Sequence, residues 1–218
     1  MFRRQTFHAA TGLACLLLAG QAAAHPHVFI DGGVDFRFGP DATLEALEVT
    51  WRYDEFETLY MLSAQGLELN DAGELDEEDR LALVQQLSEW PADFDGSAHP
   101  VMDGAAIPLE WPSDLDAHML DGRLQLTFVR RLSTPLDMQG REIDVSFHES
   151  TYFFAFSLTD PPELIGDADA CSAQVVDFDP DSESEDLAET LASLGREETP
   201  ELANVGALFA DRIVVRCD

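Results

Sequence analysis

The sequence predicts an α+β fold: an antiparallel β-sheet or sandwich with a helical hairpin inserted after its second strand and further helices near the C-terminus. Three observations carry this. Apolar residues alternate from Val28 to Trp51, they recur at helical spacing from Phe56 to Leu87, and from Gly96 to Asp179 short apolar runs return between turn-forming dipeptides.

The chain opens with a leader. Arg3 and Arg4 form a basic region, Leu13 to Ala19 an apolar run too short to span a bilayer, and Ala22-Ala23-Ala24 an A-x-A cleavage site, so residues 1–24 read as a secretory signal peptide. A lipoprotein alternative at Cys15 is disfavoured by Gly12-Leu13-Ala14, a poor lipobox. Residues 25–218 are then expected to form a single domain in the periplasm, without direct insertion into the membrane after cleavage, because no later segment is long and apolar enough to span it.

Val28 and Ile30, then Val34, Phe36 and Phe38, lead to a turn at Gly39-Pro40-Asp41 and to Leu44, Leu47, Val49 and Trp51. This is the pattern of an antiparallel pair. About 54–90 should be a helical hairpin, with Phe56, Leu59, Tyr60 and Leu62 on one face of its first helix and Leu81, Val84 and Leu87 on a face of its second. Downstream, "RLQLTFVRRL", "EIDVSFHES" and "TYFFAFSL" read as strands, separated by turns such as Asp121-Gly122, Gln139-Gly140 and Pro161-Pro162. Ser182 to Ala210 is acidic, then amphipathic, and expected to be helical, and "DRIVVRCD" closes as a strand.

The formal charge is −31 with no lysine, and removing Arg3 and Arg4 with the leader takes it to −33. Nucleic acid and anionic lipid are therefore repelled as partners. The carboxylates are dispersed from Asp31 to Asp218, which fits a protein working in high salt, where repulsion is screened over a few ångströms. After Cys15 leaves with the leader, Cys171 and Cys217 remain, and in an oxidising compartment they should form a disulfide.

Between the helices, "GLELNDAGELDEED" has the frame of a calcium loop, with Glu68, Asn70, Glu74, Asp76 and Asp79 at ligand positions. Ala72 supplies no side-chain oxygen where one is needed, and Asp79 is a methylene short of a bidentate Glu. The expectation is a degenerate loop in which Asp76 caps the second helix. There is no G-x-S-x-G, no Cys–His pair outside the disulfide and no Gly-rich phosphate loop, so the protein is not expected to be an enzyme.

Five histidines follow the leader: His25, His27, His99, His118 and His148. His25 and His27 would share one face of a strand, and cleavage after Ala24 would add the α-amine of His25 to their two imidazoles. Pro26 has no N–H to deprotonate, which blocks a square-planar site built on backbone amides. Chelation by the amine and ring of His25 remains, completed by His27 or a remote ligand such as His148, and this donor set suits copper, nickel, cobalt or zinc ions.

"HPHVFID", "VTWRYDEF", the loop "LNDAGELDEED" and the closing "NVGALFADRIVVRC" resemble the exported bacterial domain of unknown function family 1007 over His25 to Cys217. The resemblance implies a periplasmic component of an ABC-type transport system or a partner of a nickel/cobalt-type permease. The resulting expectation is an accessory protein that binds a transition-metal ion at its mature amino terminus and serves a membrane metal transporter. A copper-dependent oxidoreductase and a purely structural partner of a permease are the alternatives.

Overall fold

The alternation at the start of the chain becomes a long hairpin in a computed structural model, which describes residues 26–90, 94, 97–179 and 202–218. Strand β1 (Val28–Gly39) and strand β2 (Thr43–Tyr53) pair antiparallel from Ile30 opposite Tyr53 to Gly39 opposite Thr43, around a 3-10 turn at Pro40–Ala42. The expected signal peptide and cleavage site, residues 1–24, lie outside the described residues, as does His25.

Two helices follow. The side chain of Asp54 accepts from the Glu57 backbone N–H at 2.7 Å and starts α1 (Glu55–Gln65), which Gly66 ends at φ +66°. Helix α2 (Glu77–Leu87) begins after the polar loop. The helices do not form a hairpin packed on itself. Helix α1 rests on strand β6 (Arg123–Asp137), where Thr58 Oγ1 accepts from the Leu124 N–H at 3.0 Å, and α2 rests on strand β5 (Ser113–Leu120), where Arg80 pairs with Asp116. Nor does the expected apolar face of α1 enter the core: Leu62 is buried, while Phe56, Leu59 and Tyr60 are 77%, 67% and 63% exposed. In α2 the buried residue is Leu83, with Leu81 exposed.

The remaining strands complete two sheets. The first has the order β5-β6-β2-β1-β8, where β8 is Phe154–Leu158, and β9 (Leu164–Gly166) also pairs with β1. The second has the order β10-β11-β7-β3-β4 and is antiparallel throughout: β3 is Ala98–Met102, β4 Ala105–Ala106, β7 Glu142–Phe147, β10 Cys171–Val176 and β11 Asp211–Cys217. The expectation of antiparallel pairing fails in the first sheet, where β8 and β9 run parallel to β1. The reason is the connection 148–153, which carries the chain from the second sheet to the first and enters it at the end where β1 begins.

Both sheets contribute to one apolar core, Phe36, Val49 and Phe128 from the first and Ile143, Val145, Ile213 and Val215 from the second. Phe147 and Phe156 meet between them at 4.8 Å. Each such buried side chain contributes about 1.5–3 kcal/mol. Trp51 lies within 5.2 to 6.4 Å of Phe128, Phe156, Trp90, Phe94 and Tyr53, and its indole N–H donates to Ser97 Oγ at 2.7 Å. Cys171 and Cys217 face each other across β10 and β11 and form the expected disulfide. Most of the segment expected to be helical near the C-terminus, Ser182 to Ala210, lies outside the described residues up to position 201, and the described Val205–Phe209 is a 3-10 helix.

Candidate functional site

The end of the molecule where β1 starts is organised by hydrogen bonds around His148. This residue follows β7 instead of lying within a strand, and its backbone N–H donates to Ser97 O at 2.8 Å, one residue's width from the Trp51 cluster. The connection beyond it is folded by one carboxylate. Glu149 accepts from the Thr151 N–H at 2.7 Å, the Thr151 hydroxyl at 2.8 Å, the Phe153 N–H at 3.0 Å and the Ser150 hydroxyl at 3.2 Å. Tyr152, held at φ +60°, stacks on Phe209 of the 3-10 helix at 4.5 Å. The Phe153 carbonyl then accepts from the His27 N–H at 2.9 Å, which fixes the entry to β1.

The His148 ring is 4% exposed and stacks on His99 of β3 with centroids 4.0 Å apart and planes 24° apart. His99 Nε2 donates to the His148 carbonyl at 3.0 Å, and His148 Nε2 donates to Asn204 Oδ1 at 3.0 Å. Both acceptors are oxygens without a proton, so both rings carry their hydrogen on Nε2 and their lone pair on Nδ1. His148 Nδ1 is buried and has no hydrogen-bond partner among the described residues. Burial, reinforced by the neighbouring His99, lowers the His148 pKa to about 4, against the opposing effect of the Asn204 bond. The ring is therefore neutral at physiological pH, and its free lone pair has the chemistry of a metal ligand.

His27 lies immediately before β1, with its ring 4.9 Å from Phe153 and its Nε2 buried. The fold thus brings His27 and His148 to the two ends of the same short connection. Among the described residues, no group of three or more His, Cys, Asp or Glu side chains is close enough to hold a metal ion. Sequence reasoning missed His99 and Asn204. The pairing of Ala98 with Phe147 sets His99 beside His148, and no spacing in the sequence encodes that. Asn204 had a signal in "NVG": a side chain on Gly206 would lie 1.8 Å from the Glu149 carbonyl oxygen, so the glycine marks a close approach to the connection.

The calcium-like loop is arranged around its asparagine. Asn70 Oδ1 accepts from the N–H groups of Ala72 and Glu74 at 2.9 and 3.2 Å, and Asn70 Nδ2 donates to Asp76 Oδ1 at 3.2 Å. The Asn70 oxygen expected as a ligand is thus engaged by the backbone. Glu68 and Glu74 are exposed, and Asp79 is half-buried. Asp76 occupies the N-cap position of α2, but its side chain makes no cap hydrogen bond, contrary to expectation, because it accepts from Asn70. A cleft of about 380 Å³ lies at the opposite end of β7, lined by Asp103, Arg141, Glu142 and Asp144. Its carboxylates Glu142 and Asp144 are paired with Arg216 and Arg212.

The motifs singled out in the sequence are bonded to one another. Phe29 N–H donates to Asp54 Oδ2 at 3.2 Å, Asp54 N–H donates to the Phe29 carbonyl at 3.1 Å, and Asp31 pairs with Arg123 at 2.7 Å, which joins "HPHVFID" to the end of β2. The "NVGALF" segment reaches the connection through Asn204 and through the Gly206 N–H, which donates to the Ser150 carbonyl at 3.2 Å. No helix among the described residues is long and apolar enough to cross a membrane. No curated protein matches the chain. Residues 10–217 match the family model described as Protein of unknown function (DUF1007), and the chain belongs to that family.

Proposed function

We propose that the protein is an exported accessory factor that binds a divalent transition-metal ion as cargo at its mature amino terminus and serves a membrane metal transporter. The observation that carries this reading is His148, a buried neutral imidazole with an unpartnered Nδ1, on the connection whose far end holds His27. In the reading, the α-amine and ring of His25 form one chelate, and His27 and His148 supply further nitrogen donors of the type that copper, nickel, cobalt and zinc favour. The exposed stripe of Phe56, Leu59 and Tyr60 on α1 supports a protein partner. It begins two residues after Asp54, which is bonded to Phe29, itself two residues beyond His27.

The test compares protein beginning at His25 with protein carrying one extra amino-terminal residue. The extension keeps every imidazole but moves the amine, breaking the chelate ring. The processed form should bind Cu(II) or Ni(II) at least about tenfold more tightly, a difference of about 1.4 kcal/mol. Affinity should fall as the pH drops through about 6.5, where ordinary imidazoles take up protons. Equal affinities for the two forms would remove the amino terminus from the site.

A further inference from the structure

A metal-ligating imidazole almost always donates its other ring N–H to an acceptor, and that acceptor decides which nitrogen carries the proton. His148 meets this condition before any ion binds. Its Nε2 donates to Asn204 Oδ1 at 3.0 Å, its ring face is covered by His99 at 4.0 Å, and the same His99 donates to the His148 carbonyl at 3.0 Å. The ring can neither flip freely nor exchange tautomers without losing the Asn204 bond. Asn204 sits in the left-handed region at φ +55°, a conformation that asparagine tolerates, and it occupies the N-cap position of the 3-10 helix, without a side-chain cap bond, so its side chain is left to His148. Gly206 of that helix packs directly against the Glu149 carbonyl.

We infer that Asn204 is the positioning residue of the metal site: by accepting from His148 Nε2 it fixes the Nε2–H tautomer and presents the buried, unpartnered Nδ1 as a donor to a divalent transition-metal ion. His99 assists by clamping the ring plane and the backbone behind it. This rests on the reading of His148 as a ligand given above, and it adds that the C-terminal "NVG" segment controls that ligand although it touches no ion itself. Loss of such an outer-shell partner typically costs 10- to 100-fold in metal affinity.

The experiment uses the protein beginning at His25, with Zn(II) alone as the probe. Long-range proton–nitrogen correlation spectra of the metal-free protein should show His148 protonated at Nε2 and bare at Nδ1, and Zn(II) should perturb Nδ1. Asn204→Gly keeps the backbone conformation and deletes the acceptor, so His148 should become a mixture of tautomers and Zn(II) should bind at least about tenfold more weakly. Asn204→Asp restores an acceptor and should return a single Nε2–H tautomer, with affinity within about threefold of the parent protein. If Asn204→Gly does not fold, the parent spectrum and the Asp variant decide the matter. A His148 protonated at Nδ1, a Zn(II) signal absent from Nδ1, or an Asn204→Gly protein that binds as tightly as the parent would overturn the inference. Sensitivity to the amino-terminal extension but not to Asn204 leaves the proposed function standing without it. Sensitivity to Asn204 but not to the extension does the reverse, and no Zn(II) binding at all overturns the inference while the Cu(II) or Ni(II) comparison still decides the proposed function.

Discussion

His148 is the side chain whose environment differs most from water among the histidines described, and its protonation can be read as folding stability. In the metal-free folded protein its pKa is lowered to about 4 by burial, with His99 adding to the effect. In the unfolded chain an imidazole titrates near 6.5. Between these two values the unfolded chain holds a proton that the folded chain does not, so stability is complete above about pH 6.5 and is lost as the pH falls. The loss attributable to this residue is about 1.4 kcal/mol at pH 5.5 and about 2.5 kcal/mol at pH 4.5, approaching about 3.4 kcal/mol well below pH 4. Carboxylates titrate in the same region, so the measurement is a difference. Urea unfolding of the parent and of His148→Gln, with a chelator present, is compared at pH 7.5 and 4.5. The parent should lose about 2.5 kcal/mol more than the variant over that interval. Parallel pH profiles for the two proteins, or an NMR titration placing His148 near 6.5, would refute the argument that burial keeps this ring neutral.

Three further outcomes follow from the packing. Gly206→Ala places a methyl group 1.8 Å from the Glu149 carbonyl oxygen, and calorimetry should show a loss of about 2–4 kcal/mol because a backbone atom cannot yield cheaply. Cys171 and Cys217 should give no free thiol in denatured, unreduced protein, and replacing both with Ser should cost about 2–4 kcal/mol in denaturant titrations. Melting temperature should rise with NaCl toward the molar range, since a charge of −31 over the whole chain repels itself until screened; a flat or falling profile would assign the acidity another role.

The local structure was legible in the sequence where periodicity and burial agree. Val28, Ile30, Val34, Phe36 and Phe38 alternate and are buried, and the hairpin they predict is present. The helices were legible as helices, but not their orientation. The apolar spacing of Phe56, Leu59 and Tyr60 predicts a core face, yet the core takes Thr58 and Leu62, because the hydroxyl of Thr58 meets the Leu124 N–H on β6. Periodicity reports a face and is silent about which surface it meets. The parallel placement of β8 against β1 depends on a crossover that no local pattern encodes. At the candidate site, His148 stood out from its aromatic neighbours. His99 did not, because its meeting with His148 is a matter of register between β3 and β7.

The pairing of β1 with β8 also bears on how the chain can fold. Strand β1 has one neighbour close by in sequence, β2, and on its other edge it waits for Phe154 to Leu158. Closing that long loop is entropically costly, and no local contact anticipates it, so the topology has high contact order and should fold slowly. Until residues 154–158 are available β1 can pair only with β2, so the first sheet is completed late, and the exposed edge of β1 is the surface most open to wrong pairing in the meantime.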